Sequence, residues 1–149
     1  MSYLIGHFNC KLDAKSRLMF PADFKEQLGE QAEEGFVIRP ALSKKCLELY
    51  THREWEEVQK KMNERFNLYD ETHMAAIRYY NNSARPTKLD ANGRIQIPKD
   101  LMDMDIISKE VVVESVANRM EIWDKNRFEA TMAAIDNAEV MELFKEFLK

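Results

Sequence analysis

Apolar and polar residues alternate with a period of two in one short stretch near the start of the chain. Phe8, Cys10 and Leu12 alternate with Asn9, Lys11 and Asp13, and after a polar break Leu18 and Phe20 alternate with Arg17 and Met19. This pattern predicts two extended arms joined by a tight turn, each with one apolar face and with Asp13 and Arg17 on the other. Pro21 then ends the second arm, and Asp23 suits the first turn of a short helix. The whole stretch returns 77 residues later. Lys11–Asp23 and Lys88–Asp100 agree at seven of thirteen positions, among them Asp13/Asp90, Arg17/Arg94 and Pro21/Pro98, with apolar replacing apolar at Leu18/Ile95 and Phe20/Ile97. The chain therefore reads as two copies of one small unit built around Asp-x-x-x-Arg. In the second copy Asn92-Gly93 is a tight-turn signal, since both residues tolerate positive φ.

Between and after the copies the period changes. Ala22–Leu28 is expected as a short helix ended by Gly29, followed by a polar loop over Glu30–Gly35. Phe36–Ile38 and Cys46–Tyr50 are expected as strands joined through Arg39–Lys45. His52–Leu68 carries Trp55, Val58, Met62 and Phe66 at helical spacing, a stripe expected to pack in the core. Asp70–Asn81 predicts a further helix with Met74, Ile77 and Tyr80 on one side. The second copy repeats this order in shorter form. Val111–Val113 and Met120–Trp123 read as strands, and Met120-Glu-Ile-Trp123 lies 73 residues after Leu47-Glu-Leu-Tyr50. Lys125–Ile135 and Ala138–Lys149 are expected as terminal helices, the last with a stripe of Val140, Met141, Phe144 and Leu148 suited to packing on its own chain or on a neighbour.

Composition narrows the class. The 149 residues, 45% hydrophobic and 32% charged, describe an ordinary soluble protein. No apolar run reaches membrane-spanning length, and Met1–Gly6 lacks the basic start of a signal peptide, so a cytoplasmic location is expected. Cys10 and Cys46 sit in strand-like apolar contexts without a Cys-x-x-Cys spacing and read as small buried thiols. His7, His52 and His73 are scattered, so neither a metal site nor a cofactor is expected. No paired acid and base, no nucleophile with a histidine and no phosphate loop appears, which argues against an enzyme.

The net charge of −4 does not describe a uniformly basic nucleic-acid binder. Affinity depends on where cations meet phosphates, however, and the acidic residues concentrate in 26–34, 54–64 and 136–146. Around the two turns cations prevail: Lys11, Lys15 and Arg17 against Asp13, and Arg85, Lys88, Arg94 and Lys99 against Asp90 and Asp100. The Asp-x-x-x-Arg pairs have two readings. They are ion pairs that set the register of each turn, or they belong to turns that present cations to an anionic partner.

The duplicated Lys-Leu-Asp-Ala-x-x-Arg-apolar-x-apolar-Pro element resembles the MraZ family of bacterial transcriptional regulators, whose two repeats belong to the SpoVT/AbrB class of swapped-hairpin DNA-binding domains. The resemblance extends over nearly the whole chain, including Leu47–Tyr50 and Met120–Trp123. It implies an α+β fold of duplicated AbrB-like swapped-hairpin β-barrel units with flanking amphipathic helices. The boundaries expected are a first repeat at 7–54, a helical connection at 55–82, a second repeat at 83–126 and C-terminal helices at 127–149. The resemblance also implies ring-shaped homo-oligomers, taken here as octamers, although nothing in the sequence itself sets the number of subunits. One position departs from the family. A glycine precedes the turn arginine at Gly93, but Ser16 stands there in the first copy, where a positive φ is harder to adopt.

With the resemblance, the expected function is sequence-specific binding of double-stranded DNA, with the protein nucleoid-associated. Arg17 and Arg94 are the base-reading candidates, because arginine bonds guanine O6 and N7 bidentately in the major groove. Lys11, Lys15, Lys88 and Lys99 are the phosphate candidates. Asp13 and Asp90 are assigned to orienting the arginines, and Ser16 and Gly93 to shaping the turns. The implied target is a set of short direct repeats upstream of the protein's own gene, at the head of a division and cell-wall gene cluster, which it represses. The alternatives are an oligomeric interaction scaffold without DNA, and an antitoxin-type AbrB-like repressor, although such repressors usually carry one copy per chain.

Overall fold

The computed structural model describes residues 3–149; Met1 and Ser2, part of the segment weighed as a leader, lie outside the described residues. The period-two segments form strands, but they do not pair as local hairpins. In the first repeat β1 (His7–Lys11) and β2 (Arg17–Met19) are joined by a turn closed through Asp13 N donating to Arg17 O at 3.0 Å. Beyond that bond the arms separate. β1 pairs antiparallel with β7 (Glu110–Val116) of the second repeat, and β2 pairs antiparallel with β6 (Arg94–Gln96). An isolated two-stranded hairpin is barely stable in water. Exchanging the arms buries the apolar face of each against the other copy: Leu18 and Ile95 face each other and are fully buried.

The remaining strands complete one six-stranded sheet in the order β1-β7-β8-β4-β3-β5, where β3 is Phe36–Pro40, β4 Leu47–Thr51, β5 Arg85–Thr87 and β8 Arg119–Asp124. The repeats meet at three seams of this sheet, β1–β7, β4–β8 and β3–β5, and the β2–β6 ribbon packs on the same core. That core holds Phe24, Phe36, Ile38, Leu47, Leu49, Ile97, Val111, Val113 and Ile122, all at or near full burial. The repeats thus share one core instead of folding side by side. Pro86 is tolerated in β5 because that strand is an edge. β3 runs through Arg39 and Pro40, two residues further than expected, since Arg39 pairs with Glu48 and Pro40 with Leu47.

The other face of the sheet carries a buried polar layer. Glu48 and Glu121, equivalent residues of the two repeats, stand directly opposite on β4 and β8, each 8% exposed. Arg119 lies between them, its Nε 3.2 Å from Glu48 Oε2 and its Nη2 2.6 Å from Glu121 Oε2. Arg39, almost wholly buried, donates to Glu48 Oε1 at 3.2 Å and stacks over the Tyr80 ring at 3.8 Å. Two opposed carboxylates in a sheet repel, and the two guanidiniums supply the compensation.

α1 (Ala22–Leu28) ends at Gly29, as expected, with φ +57 and ψ −126, a backbone conformation that glycine adopts without strain. Part of the expected loop after it is a short 3-10 helix, Gly29–Ala32. α2 (His52–Arg65) starts at Thr51, whose hydroxyl accepts from Glu54 N, and stops short of Leu68. Its stripe does not enter the core. Trp55, Val58 and Met62 are half-buried and Phe66 is exposed, because the five-residue strands beneath extend under the first turns only. Trp55 instead stacks on Tyr80 of α3 (Glu71–Asn82) at 5.8 Å. α4 (Lys99–Met102) repeats α1 in shorter form. α5 (Lys125–Ala133) buries Phe128, whereas α6 (Asn137–Phe147) buries nothing and leaves Leu143, Phe144, Phe147 and Leu148 exposed. Cys10 is half-buried and Cys46 buried, both free thiols; burial, with Glu121 and Glu48 nearby, pushes Cys46 up to about 12.

Candidate nucleic-acid interface

Arm exchange sets the two Asp-x-x-x-Arg turns side by side. Both have the same internal geometry. In the first, Asp13 Oδ1 accepts from the main-chain N–H groups of Lys15 and Arg17, each at 2.9 Å, and Ser16 N donates to Asp13 O at 3.0 Å. In the second, Asp90 Oδ1 accepts from Asn92 N at 2.8 Å and Arg94 N at 2.9 Å, and Gly93 N donates to Asp90 O at 3.0 Å. An aspartate caps the turn here because its short carboxylate reaches main-chain donors two and four residues on. Only the residue before the arginine takes a left-handed φ, +59 at Ser16 and +77 at Gly93. Asn92 does not share it, so each loop is three residues ending in a left-handed one, a form distinct from the two-residue Asn-Gly turn. Ser16 therefore adopts the glycine-like conformation despite its side chain.

The arginines break this symmetry. Arg17 Nε donates to Asp13 Oδ2 at 2.7 Å, and Arg94 Nη1 reaches across the repeats to the same oxygen at 3.4 Å. Asp90, expected to orient the arginine of its own turn, accepts only main-chain donors among the described residues. The reason is the exchange itself, which lays the second repeat's arginine beside the first repeat's aspartate. The carboxyl of Asp13 is held down to about 2, foremost by the N–H of Arg17; loss of solvent opposes this, and the Arg17 side chain and the N–H of Lys15 add to the lowering. Asp90 is lowered as well, foremost by the N–H of Arg94.

Arg17 is anchored through Nε alone. Among the described residues its two terminal amines carry no hydrogen bond, so the fork that matches a guanine edge or a phosphate points away from its anchor. Lys15 is exposed at the tip of the first turn, and its equivalent in the second is the neutral Asn92. Lys11 and Lys88 are exposed just before the turns. Lys99 is exposed at the start of α4, beyond β6 and outside both turns. Arg85 is committed to structure, bound to Asp100 at 2.8 Å and to the carbonyls of Asn82 and Ala84.

Two residues beside the turns were not singled out in the sequence. Gln96 donates its amide to Lys15 O at 2.8 Å and lies against Ser16 O, and Met19 lies against Gly93. Their signal was present, since both occupy the outward position of the period-two arms, 77 residues apart.

The sequence model of the family described as "MraZ protein, putative antitoxin-like" matches residues 3–76 and 82–148. The chain is 42% identical to the transcriptional regulator MraZ of Christiangramia forsetii over 132 residues, 89% of this chain and 84% of that protein. It is 38% identical to that of Flavobacterium psychrophilum over 138 residues, 93% and 85% of the two chains. With the namesake of Clostridium tetani the identity is 32% over 143 residues, 95% and 96%. Two matched repeats and relatives aligned over most of both chains lead to one conclusion: this chain belongs to the MraZ family.

Proposed function

We propose that this protein is a sequence-specific DNA-binding transcriptional regulator that enters the major groove with the paired turns of the β2–β6 ribbon. The observation that carries the reading is the Arg17 guanidinium, anchored at Nε by Asp13, with both terminal amines unbonded among the described residues. A two-stranded ribbon fits the major groove, and an arginine fixed behind its fork has already lost much of the freedom that binding would otherwise remove. Lys11, Lys15 and Lys88 supply phosphate contacts around it, and Lys99 a more distant one. The relatives' name as transcriptional regulators supports the same class. In the fuller form of the proposal the protein is cytoplasmic and nucleoid-associated. There it represses its own division and cell-wall gene cluster through short direct repeats, as a ring-shaped homo-oligomer. The exposed apolar face of α6 favours such assembly.

The test is titration of full-length protein against a duplex from upstream of its own gene and against a scrambled duplex, at several salt concentrations. Arg17→Ala is expected to lose the preference for the cognate duplex while its fold and its mass in light scattering stay unchanged. Lys15→Ala is expected to weaken both duplexes alike and to flatten the salt dependence by about one phosphate contact per engaged subunit. Full cognate preference in a folded Arg17→Ala protein would reject the reading, and a monomer mass at micromolar concentration would reject the ring.

A further inference from the structure

The outward face of the β2–β6 ribbon holds four side chains in two equivalent pairs: Arg17 with Arg94, and Met19 with Gln96. Register places Arg17 opposite Gln96 and Met19 opposite Arg94, while Leu18 and Ile95 point into the core. The first pair is alike in residue type, though its two members are anchored differently on Asp13; the second pair differs in residue type. Met19 is 53% exposed and its thioether lies beside the second turn, since a Cβ on Gly93 would be 3.9 Å from Met19 Sδ. Gln96, also exposed, lies beside the first turn. Its Nε2 is engaged by the carbonyls of Lys15 at 2.8 Å, Ile97 at 3.0 Å and Ser16 at 3.4 Å. Among the described residues its Oε1 accepts nothing. The first tip therefore pairs an arginine with a bare acceptor, and the second pairs an arginine with an apolar group.

Resting on the DNA-binding reading above, we propose that Met19 and Gln96 are specificity-determining residues that make each protomer read its site with one polarity. A glutamine normally recognises adenine with both ends of its amide. Gln96 has its donor end occupied, so it accepts only. In the major groove an acceptor separates bases that present an amino group, adenine and cytosine, from guanine and thymine, which present a carbonyl oxygen. Met19 offers no donor and only a weak thioether acceptor, and its apolar end fits the thymine methyl. The base beside the guanine read by Arg17 is thus an amino-bearing one, and the base beside the guanine read by Arg94 is thymine. Two arginines name only guanines, the same base at both ends; the unlike neighbours Met19 and Gln96 give the two ends different flanking bases.

The experiment is enrichment of a random-sequence duplex library on full-length protein, read by sequencing, for wild type, Met19→Gln and the exchange Met19→Gln with Gln96→Met. Wild type is expected to enrich an asymmetric element. Met19→Gln, which disturbs no hydrogen bond of the ribbon, should reduce the thymine preference by about fivefold or more and make the two flanks alike. The exchange should move the two preferences to opposite flanks while the guanines stay. Circular dichroism melts check that both variants are folded. Variants that enrich the wild-type flanking bases would overturn the polarity proposal and leave the DNA-binding reading intact. A wild type that enriches no sequence would overturn the DNA-binding reading itself, and the inference with it.

Discussion

Arg94 leaves the aspartate of its own turn and donates to Asp13 of the other repeat at 3.4 Å, on the oxygen that Arg17 holds at 2.7 Å. Two turns that match in every main-chain bond thus share one orienting carboxylate. Replacement of each aspartate by asparagine separates the capping role from the orienting one, because the remaining amide oxygen still accepts from the main chain. Asp13→Asn frees both arginines, and Asp90→Asn frees neither. Removing a negative charge raises affinity for any DNA in both variants, so the informative quantity is the ratio of cognate to random binding. That ratio is expected to fall about fivefold in Asp13→Asn and to hold in Asp90→Asn. Competition titrations measure it. Equal ratios in the two variants would remove Asp13 from its special role.

The same carboxylate makes acid stability sensitive to one residue. The carboxyl of Asp13 is held at about 2 in the folded chain, below the ordinary aspartate range. Its contribution to stability is fully present above the unfolded value near 4, and it is lost as the pH falls from there through 2. Denaturant midpoints between pH 5 and pH 2 should therefore decline less steeply in Asp13→Asn than in the wild type. A parallel decline would mean that other groups govern the acid limb.

Ser16 and Gly93 form a matched pair at equivalent positions, both left-handed. Among the described residues a Cβ at Gly93 meets only Met19 Sδ, at an ordinary 3.9 Å, so the cost of a side chain there is conformational. Ser16→Gly is expected to stabilise the protein by up to about 1 kcal/mol, and Gly93→Ser to destabilise it by a similar amount. Thermal melts of the two variants check the sign. A loss of stability in Ser16→Gly would show that the serine side chain contributes more than its backbone strain costs.

Arg119 is the bridge between Glu48 and Glu121. Arg119→Met leaves Glu121 without a cation and facing Glu48, which keeps Arg39, and is expected to cost on the order of 1–3 kcal/mol. Adding Glu121→Gln should recover most of it, since the amide oxygen still accepts from Trp123 Nε1, now 3.0 Å from Glu121 Oε1. Chemical denaturation of the single and double variants forms the cycle. An unaltered midpoint in the single variant would mean that Arg39 and solvent suffice to compensate the pair and that Arg119 is not required.

The turns, the helix end at Gly29 and the inward positions Leu18, Phe20, Ile95 and Ile97 were legible in the sequence. A period of two states which side of a strand is buried, and the left-handed residue of a tight turn is a local requirement. The duplication was legible for the same reason, as residues repeated at equal spacing. Which strand pairs with which was not. The alternation of β1 is satisfied by β2 or by β7, and only closure of a common core chooses β7, because it buries the faces of both arms at once. From that choice follow the position of Arg94 at Asp13, the opposition of Glu48 to Glu121, and Met19 and Gln96 each lying against the other repeat's turn. The helical stripe of α2 shows the converse. Its spacing correctly indicated a helix, but whether a stripe is covered depends on how far the neighbouring strands reach beneath it. Contacts between residues about 80 positions apart are decided by the packing of whole elements, and that packing belongs to the tertiary structure alone.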